Sequence, residues 1–152
     1  MTLDQTLERL KLKLPPQPKP VGAYRPLVIA GGFAYLSGQI SKDAEGQILA
    51  GKVGKDLNLE QGKRAAQLAA LQALSLIHHE LGFEKIEQVV RIMGYLQSAA
   101  DFYAQSEVMN AASELFGEIF GERGRHARTT IGAAGLPLNA AVEIEVTLKL
   151  RS

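Results

Sequence analysis

The stretch AVEIEVTLKL at residues 141–150 decides the fold class. Apolar and polar residues alternate along it, so Val142 and every second residue to Leu150 face one way, while Glu143 and its alternates to Arg151 face the other. A period of two predicts a β-strand with one buried and one polar face. The chain therefore contains a sheet whose apolar face needs a cover.

Residues 27–36, LVIAGGFAYL, predict a β-hairpin. The Gly31-Gly32 pair supplies the positive φ angles that a two-residue turn requires. We expect the second strand to continue through Ile40. Runs rich in β-formers predict further strands over 89–96 and 127–134.

Two long helices are predicted between these strands. Asn58 with Gln61 forms a capping box ahead of a 3.6-residue apolar pattern that ends at Gly82, and Ser98 with Asp101 predicts the cap of a helix that ends at Gly121. The order of elements predicts one α+β domain, a single sheet with two helices on its apolar face.

The N-terminus predicts a separate arm. Residues 2–13 show a capping box and an apolar face, and a proline-rich segment stops the pattern. We divide the chain into a helical arm with its connector, residues 1–17, and a core domain, residues 18–152.

The composition excludes several classes of protein. The 152-residue chain has no cysteine, so disulfides, thiolate nucleophiles and Cys-based zinc sites are ruled out. A formal net charge of +1 gives no strong field for nucleic acid, and no run of residues has the ~20 apolar positions that span a bilayer. We expect a cytoplasmic protein without a cofactor.

The histidines do not predict a metal site. His78 and His79 are adjacent, and neighbouring helical residues point about 100° apart, so the pair cannot easily share a metal ion.

Arg128 is the residue most indicative of a binding site. It follows the basic loop 121–127 and opens a strand that should be largely covered, and a covered arginine needs an anionic partner. That partner could be Glu143, directly opposite if the last two strands form a simple hairpin, or the carboxylate or phosphate of a ligand. Spacing alone leaves both alternatives open.

A set of short motifs carries a resemblance to a known family. In chain order they are Val21-Gly22-Ala23-Tyr24, Leu36-Ser37-Gly38-Gln39-Ile40, the helix from Gln61 to Gly82, Asp101-Phe102, Asn110, Ala127-Arg128-Thr129, Leu136-Pro137 and Val142-Glu143-Ile144-Glu145. Each motif is weak alone, but their order and spacing over residues 18–151 resemble the Rid/YjgF family, also described as endoribonuclease L-PSP. With its N-terminal arm, the chain resembles a longer subgroup.

The resemblance implies a chorismate-mutase-like fold with a mixed sheet, assembled as a homotrimer. The sheets would line the interior of the trimer, the helices would lie outside, and a pocket would form at each subunit interface. It also implies that the strand of Arg128 is at the sheet edge and that of Glu143 is central, so the two strands would not form a simple hairpin.

The activity that the resemblance implies is hydrolysis of reactive enamines and imines, such as 2-aminoacrylate, to 2-oxo acids and ammonia. Arg128 matches the arginine that binds the substrate carboxylate, and Glu143 matches the glutamate that positions water. The other matched positions that would contact substrate are Tyr24, Ser37, Gly38, Asn110 and Thr130. This chemistry needs no metal or cofactor.

Some residues depart from the family pattern. Arg125-His126 replaces an apolar-Pro pair, and Thr130 stands where a cysteine is frequent, so the pocket would be reshaped.

Two alternatives stay open: an endoribonuclease that uses the basic loop 123–128, and a non-catalytic sensor or interaction protein that holds a small acid. RNA binding is disfavoured by the net charge and by an aromatic content of 6%.

Overall fold

The order of elements follows the predicted sequence of strands and helices. The computed structural model describes residues 2–152. The helices are α1 (Leu3–Leu10), α2 (Leu59–Glu80) and α3 (Gln105–Phe120). The strands are β1 (Leu27–Ala30), β2 (Phe33–Leu36), β3 (Gln39–Ile40), β4 (Ile86–Gln97), β5 (Ala127–Ala133) and β6 (Val142–Leu150). Short 3₁₀ turns cover Phe83–Lys85, Gly121–Gly124 and Pro137–Asn139.

The strands form one mixed sheet in the order β1-β2-β6-β4-β5, with β3 also paired to β6. All pairs are antiparallel except β4 with β5, which is parallel. The sheet confirms that β5 is an edge strand and β6 is central. The simple hairpin in which Arg128 faces Glu143 is wrong, because β4 lies between the two strands.

The first hairpin is confirmed. Gly31 and Gly32 turn it with φ angles of 58° and 82°. The predicted continuation of its second strand to Ile40 is wrong, since β2 ends at Leu36. The Ser37 amide donates to the carbonyl of Pro26, which has no N–H to return the bond, so the hairpin pairing stops there. The chain then rejoins the sheet as β3 beside β6.

Helix α2 begins at the capping box that the sequence predicts, with reciprocal bonds between Asn58 and Gln61. The predicted cap of α3 is wrong. That helix begins at Gln105 after Ala104, without a side-chain cap. Residues 97–99 are used differently, because the Gln97 carbonyl and the Ala99 amide pair with the backbone of Val53.

The two long helices cover the apolar face of the sheet. The even-numbered residues of β6 from Val142 to Leu148 are buried, and they pack in one core with the alanine-rich side of α2 and the apolar side of α3. The opposite face, with Glu143 and its alternates, carries no helix, and we call it the open face. The predicted site residues lie on both faces.

The N-terminal helix packs on the outside of the helical layer. Leu7 is buried, Arg9 forms an ion pair with Glu118 of α3, and the Ser75 hydroxyl of α2 donates to the carbonyl of Pro15 at 2.7 Å. The helix expected at the N-terminus is present. None of the helices within residues 2–152 is both long and apolar enough to cross a membrane.

Candidate functional site

Three of the predicted site residues line one pocket. Tyr24, Gly38 and Glu143 meet there, where the end of the sheet adjoins the connector after α1. The rest of the wall is Pro18, Lys19, Pro20, Val21, Pro26, Gln39, Ile40, Lys42, Gln72, Pro137 and Leu138. We call this the Glu143 pocket.

Glu143 lies on the open face between Ile40 of β3 and Tyr95 of β4. Burial raises the pKa of its carboxyl group, and the nearby charge of Glu145 raises it further. A carboxylate with a raised pKa accepts a proton from water more readily than an ordinary glutamate does. This position suits a group that orients and deprotonates a water molecule.

Gly38 lies against the Glu143 carboxyl group. A Cβ atom at this position would lie 2.7 Å from Glu143 Oε2 and 2.8 Å from Cδ. Only glycine leaves room for the carboxyl group in this orientation. The Gly38 backbone thus fixes one wall of the pocket.

Ser37 supports the pocket from outside. Its hydroxyl donates to the carbonyl of Arg25 at 2.6 Å, and its amide donates to that of Pro26 at 2.9 Å. These bonds hold the loop that carries Tyr24, whose side chain is 49% exposed. Ser37 therefore lies near the predicted site but does not line the pocket.

Arg128 lies on the other face of the sheet. It pairs with Ile92 of β4, which pairs with the buried Val146, so its side chain points toward α3. Its guanidinium donates from Nη1 to Ser113 Oγ at 2.9 Å and from Nη2 to Ser106 Oγ at 2.9 Å and the Ser106 carbonyl at 3.2 Å.

No carboxylate within residues 2–152 pairs with Arg128. Burial lowers the pKa of its guanidinium, because the charged form loses water. Three contacts occupy at most three of the five guanidinium N–H donors, so at least two are free for a ligand. An oriented cation with free donors suits a carboxylate.

Asn110 and Thr130 accompany Arg128. Asn110 follows Ser106 by one helical turn, so it lies on the same side of α3. Thr130 follows Arg128 by two residues on the same face of β5, and its buried hydroxyl has no hydrogen-bond partner within the described chain. We call Ser106, Asn110, Ser113, Arg128 and Thr130 the Arg128 cluster.

One subunit does not bring the two halves of the predicted site together. The Glu143 pocket lies on the open face and the Arg128 cluster on the helical face, with β4 between them. Arg128 and Glu143 of the same chain therefore point to opposite sides of the sheet.

A family model described as "YjgF/chorismate_mutase-like, putative endoribonuclease" matches residues 5–149. This chain belongs to that family. Protein TCP17 of Trypanosoma cruzi is 37% identical over 148 residues, which cover 96% of this chain and 92% of that protein. The 2-iminobutanoate/2-iminopropanoate deaminase of Dermatophagoides farinae is 31% identical over 135 residues, with 88% and 91% covered.

The fold of the YjgF/chorismate-mutase-like family is also seen in solved structures. A crystal structure from Shewanella oneidensis MR-1, which carries the same endoribonuclease description, is 30% identical to this chain and superposes with a TM-score of 0.93. The match covers 99% of this chain and 100% of that one. The family includes imine deaminases, and this chain has the fold of the family.

The basic loop before β5 is mostly engaged within this subunit. Arg123 donates to the carbonyl of Ile86 and lies over the ring of Phe120, with 5.6 Å from its Cζ to the ring centroid. Arg123 is therefore held against its own subunit and not displayed to solvent. Arg125 is 81% exposed and faces only Glu122, so it alone of the loop's arginines is displayed to solvent.

The sequence did not identify two groups that the structure adds. Ser106 and Ser113 anchor Arg128, and their seven-residue spacing on one helix was the available signal. Pro18 and Pro20 line the Glu143 pocket, whereas the sequence predicts only a connector for the proline run. Among residues 2–152, no three His, Asp or Glu side chains lie together as a metal site requires.

Proposed function

We propose that this chain hydrolyses the imines of 2-amino acids to 2-oxo acids and ammonia. The observation that carries the proposal is Arg128, a half-buried guanidinium that three oxygens of α3 orient and that no carboxylate of the described chain neutralises. A substrate carboxylate would complete it. The relative from Dermatophagoides farinae is named for such an activity, which supports the assignment.

The site is proposed to form between subunits of a homotrimer whose sheets face inward. Arg128 and Glu143 lie on opposite faces of one sheet, so a complete site needs the Arg128 cluster of one subunit beside the Glu143 pocket of another. The exposed apolar side chains Val28, Tyr35 and Ile131 on the open face support association, because isolated subunits seldom display several large apolar groups together. Packing would also cover the edge strand β5.

The chemistry asks for few groups. The iminium R–C(=NH₂⁺)–COO⁻ and water give R–C(=O)–COO⁻ and NH₄⁺. Arg128 holds the carboxylate and so fixes the electrophilic carbon. Glu143 orients a water molecule and accepts its proton as the oxygen bonds to that carbon. That proton then passes to the nitrogen. As the C–N bond breaks, the hydroxyl group loses its remaining proton to the departing ammonia, which leaves the carbonyl group and NH₄⁺.

The direct test compares Arg128→Ala with Arg125→Ala. An amino-acid oxidase generates the imine in place, and the acceleration of ammonia release is measured. Loss of a bidentate charged contact should lower the acceleration by about 100-fold or more. The matched variant Arg125→Ala should leave it unchanged, because Arg125 faces only Glu122. Equal rates for the wild type and Arg128→Ala refute the proposal.

Mixed assemblies test the division of the site. Arg128→Ala and Glu143→Gln chains are each expected to be inactive alone. When the two are co-expressed, some interfaces join the Arg128 of a Glu143→Gln chain to the Glu143 of an Arg128→Ala chain. These interfaces are intact, so part of the activity should return. No recovery in verified mixed trimers means that each site is built within one subunit.

The two alternative functions predict different results. A sensor binds 2-oxo acids tightly but does not accelerate ammonia release. An endoribonuclease cleaves RNA and binds it with a steep salt dependence. The engagement of Arg123 within the subunit leaves little basic surface for RNA.

A further inference from the structure

A chain of hydrogen bonds leads from Arg128 into the loop before β5. Arg128 Nη1 lies 2.9 Å from Ser113 Oγ, and Ser113 Oγ lies 2.8 Å from His126 Nε2. At its far end, His126 Nδ1 lies 2.7 Å from the carbonyl oxygen of Gly124. Four groups are thus linked from the half-buried guanidinium to the backbone.

The partners determine the direction of the first and last bonds. The Gly124 carbonyl can only accept, so His126 Nδ1 carries a proton. Arg128 can only donate, so Ser113 Oγ accepts from it and has its single hydrogen left to donate. With His126 neutral and its proton on Nδ1, that hydrogen has an acceptor in the unprotonated Nε2. This is the one protonation state of the ring in which all four groups are paired without two donors meeting at the same oxygen.

We propose that His126 is a positioning residue for Arg128, and that it acts through Ser113. Neutral His126 orients the Ser113 hydroxyl so that its lone pairs face Arg128 Nη1. The second anchor, Ser106, holds only Nη2, so loss of the first anchor leaves the guanidinium plane free to turn. The consequence for ligand binding rests on the proposed function.

Protonation of His126 disrupts this arrangement. With a hydrogen on Nε2, both His126 and Arg128 donate to Ser113 Oγ, whose own hydrogen loses its acceptor. Two cations then share a single oxygen. The arrangement therefore holds above the pKa of His126 and weakens below it.

The surroundings favour the neutral ring. Burial lowers the pKa of His126, the hydrogen bond to Gly124 opposes this, and the charge of Arg128 lowers it further. From α3, the groups that face the ring are the uncharged Ser113 hydroxyl and the Phe116 ring, 6.3 Å between centroids. Gln88 of β4, also uncharged, donates to the adjacent carbonyl of Arg125, whose side chain faces Glu122.

The first experiment is independent of any ligand. Nitrogen NMR of the full chain reads the His126 tautomer directly and follows its titration. We expect a proton on Nδ1, a titration midpoint below 6.5 and, in Ser113→Ala, a shifted Nε2 resonance and greater mobility of the Arg128 Nε–H signal. A proton on Nε2 at pH 8, or unchanged Arg128 mobility in Ser113→Ala, overturns the proposal.

The second experiment measures binding of 2-oxobutanoate at pH 8 and at a pH below the His126 midpoint that NMR gives. His126→Phe keeps the ring against Phe116 but removes both hydrogen bonds, and we expect about fivefold weaker binding at pH 8, the loss of one neutral hydrogen bond. His126→Gln keeps an acceptor for Ser113 that cannot titrate. It should restore binding at pH 8 and bind better than the wild type below the midpoint of His126.

Two comparisons isolate the role of His126. The titration of Glu143 affects the wild type and His126→Gln alike, so the ratio of their affinities reports His126 alone. In Ser113→Ala, the change His126→Phe should cost nothing more. If the losses of affinity in His126→Phe and Ser113→Ala add in the double variant, positioning through Ser113 is refuted. Wild-type affinity of His126→Phe at both pH values refutes it as well. If the wild type binds no 2-oxobutanoate, the proposed function fails, and the Arg128 NMR signal still decides the inference.

Discussion

The change Gly38→Ala is expected to damage the Glu143 pocket while leaving the fold intact. The added Cβ would lie 2.7 Å from Glu143 Oε2, closer than non-bonded atoms approach. The φ angle of Gly38 is not positive, so the backbone accepts alanine without strain. The side chain of Glu143 must therefore move.

The structure separates the two consequences of this movement. A carboxyl group at the end of a flexible side chain can turn to another position at a cost of about 0.5–1.5 kcal/mol. Alanine recovers about 0.4–1 kcal/mol by restricting the unfolded chain, so the net change in stability should stay within about 1 kcal/mol. A carboxylate that is displaced by about 1 Å can cost ~100-fold in rate.

Two assays and a matched control test this expectation. Thermal unfolding should show a midpoint near that of the wild type, and ammonia release from an enzymatically generated imine should fall by one to two orders of magnitude. The control is Gly117→Ala in α3, where an added Cβ meets no atom within 4 Å. It should raise stability by about 0.5–1 kcal/mol without changing the rate.

A Gly38→Ala protein that folds normally and retains the wild-type rate refutes this account of the pocket. It would show that the position of the Glu143 carboxyl group does not limit the reaction. A large loss of stability would also contradict the reasoning, because it would mean that the carboxyl group cannot move aside.

Two further changes test the support and the titration of the pocket. Gln97 is 2% exposed, donates to Asn139 Oδ1 at 2.7 Å and accepts from the Leu136 amide at 2.8 Å. Gln97→Leu should therefore lower the free energy of unfolding by about 2–4 kcal/mol, seen as a lower denaturant midpoint with an unchanged slope. An unchanged midpoint contradicts the role of these bonds. Because the folded pKa of Glu143 lies above its ordinary 4.5, its favourable contribution to stability is present below that value and is lost as pH rises through the folded pKa. Glu143→Gln should therefore gain thermal stability over the wild type as pH increases from 4 to 7, and a constant difference contradicts the raised pKa.

Local patterns in the sequence were sufficient to predict most of the fold. The alternation in β6 shows which of its side chains the sheet buries. The Gly31-Gly32 pair shows where φ must be positive. Both signals depend only on residues that are neighbours in the sequence. The capping box at Asn58 is local in the same sense. These features needed no knowledge of distant contacts.

The start of α3 shows where local patterns fail. Ser98 and Asp101 have the spacing of a capping box, but the backbone of residues 97–99 is committed to Val53, a contact across more than forty positions. Tertiary pairing overrides a cap of about 1 kcal/mol. The helix begins instead at Gln105, and no side chain caps its N-terminus.

The candidate site was only partly predictable for a related reason. The chemistry of Arg128 and Glu143 could be proposed from the sequence, but the face on which each lies depends on register. Arg128 faces α3 because β5 pairs in parallel with β4 and sets Arg128 beside Ile92. A shift of one residue would turn Arg128 to the open face. No local pattern fixes that register.

Helix α3 links the core to the candidate site. Gly94 of β4 has no side chain, and a Cβ there would lie 2.5 Å from the end of Met109, so α3 packs unusually close to the sheet at this point. Thr130 pairs with Gly94, and Arg128 is one alternation away along β5. The close approach brings the polar side of the helix within hydrogen-bonding reach of the guanidinium. The orientation of Arg128 is therefore set by core packing as much as by its own contacts, so a side chain on an edge strand is held in the fixed position that the proposed carboxylate binding needs.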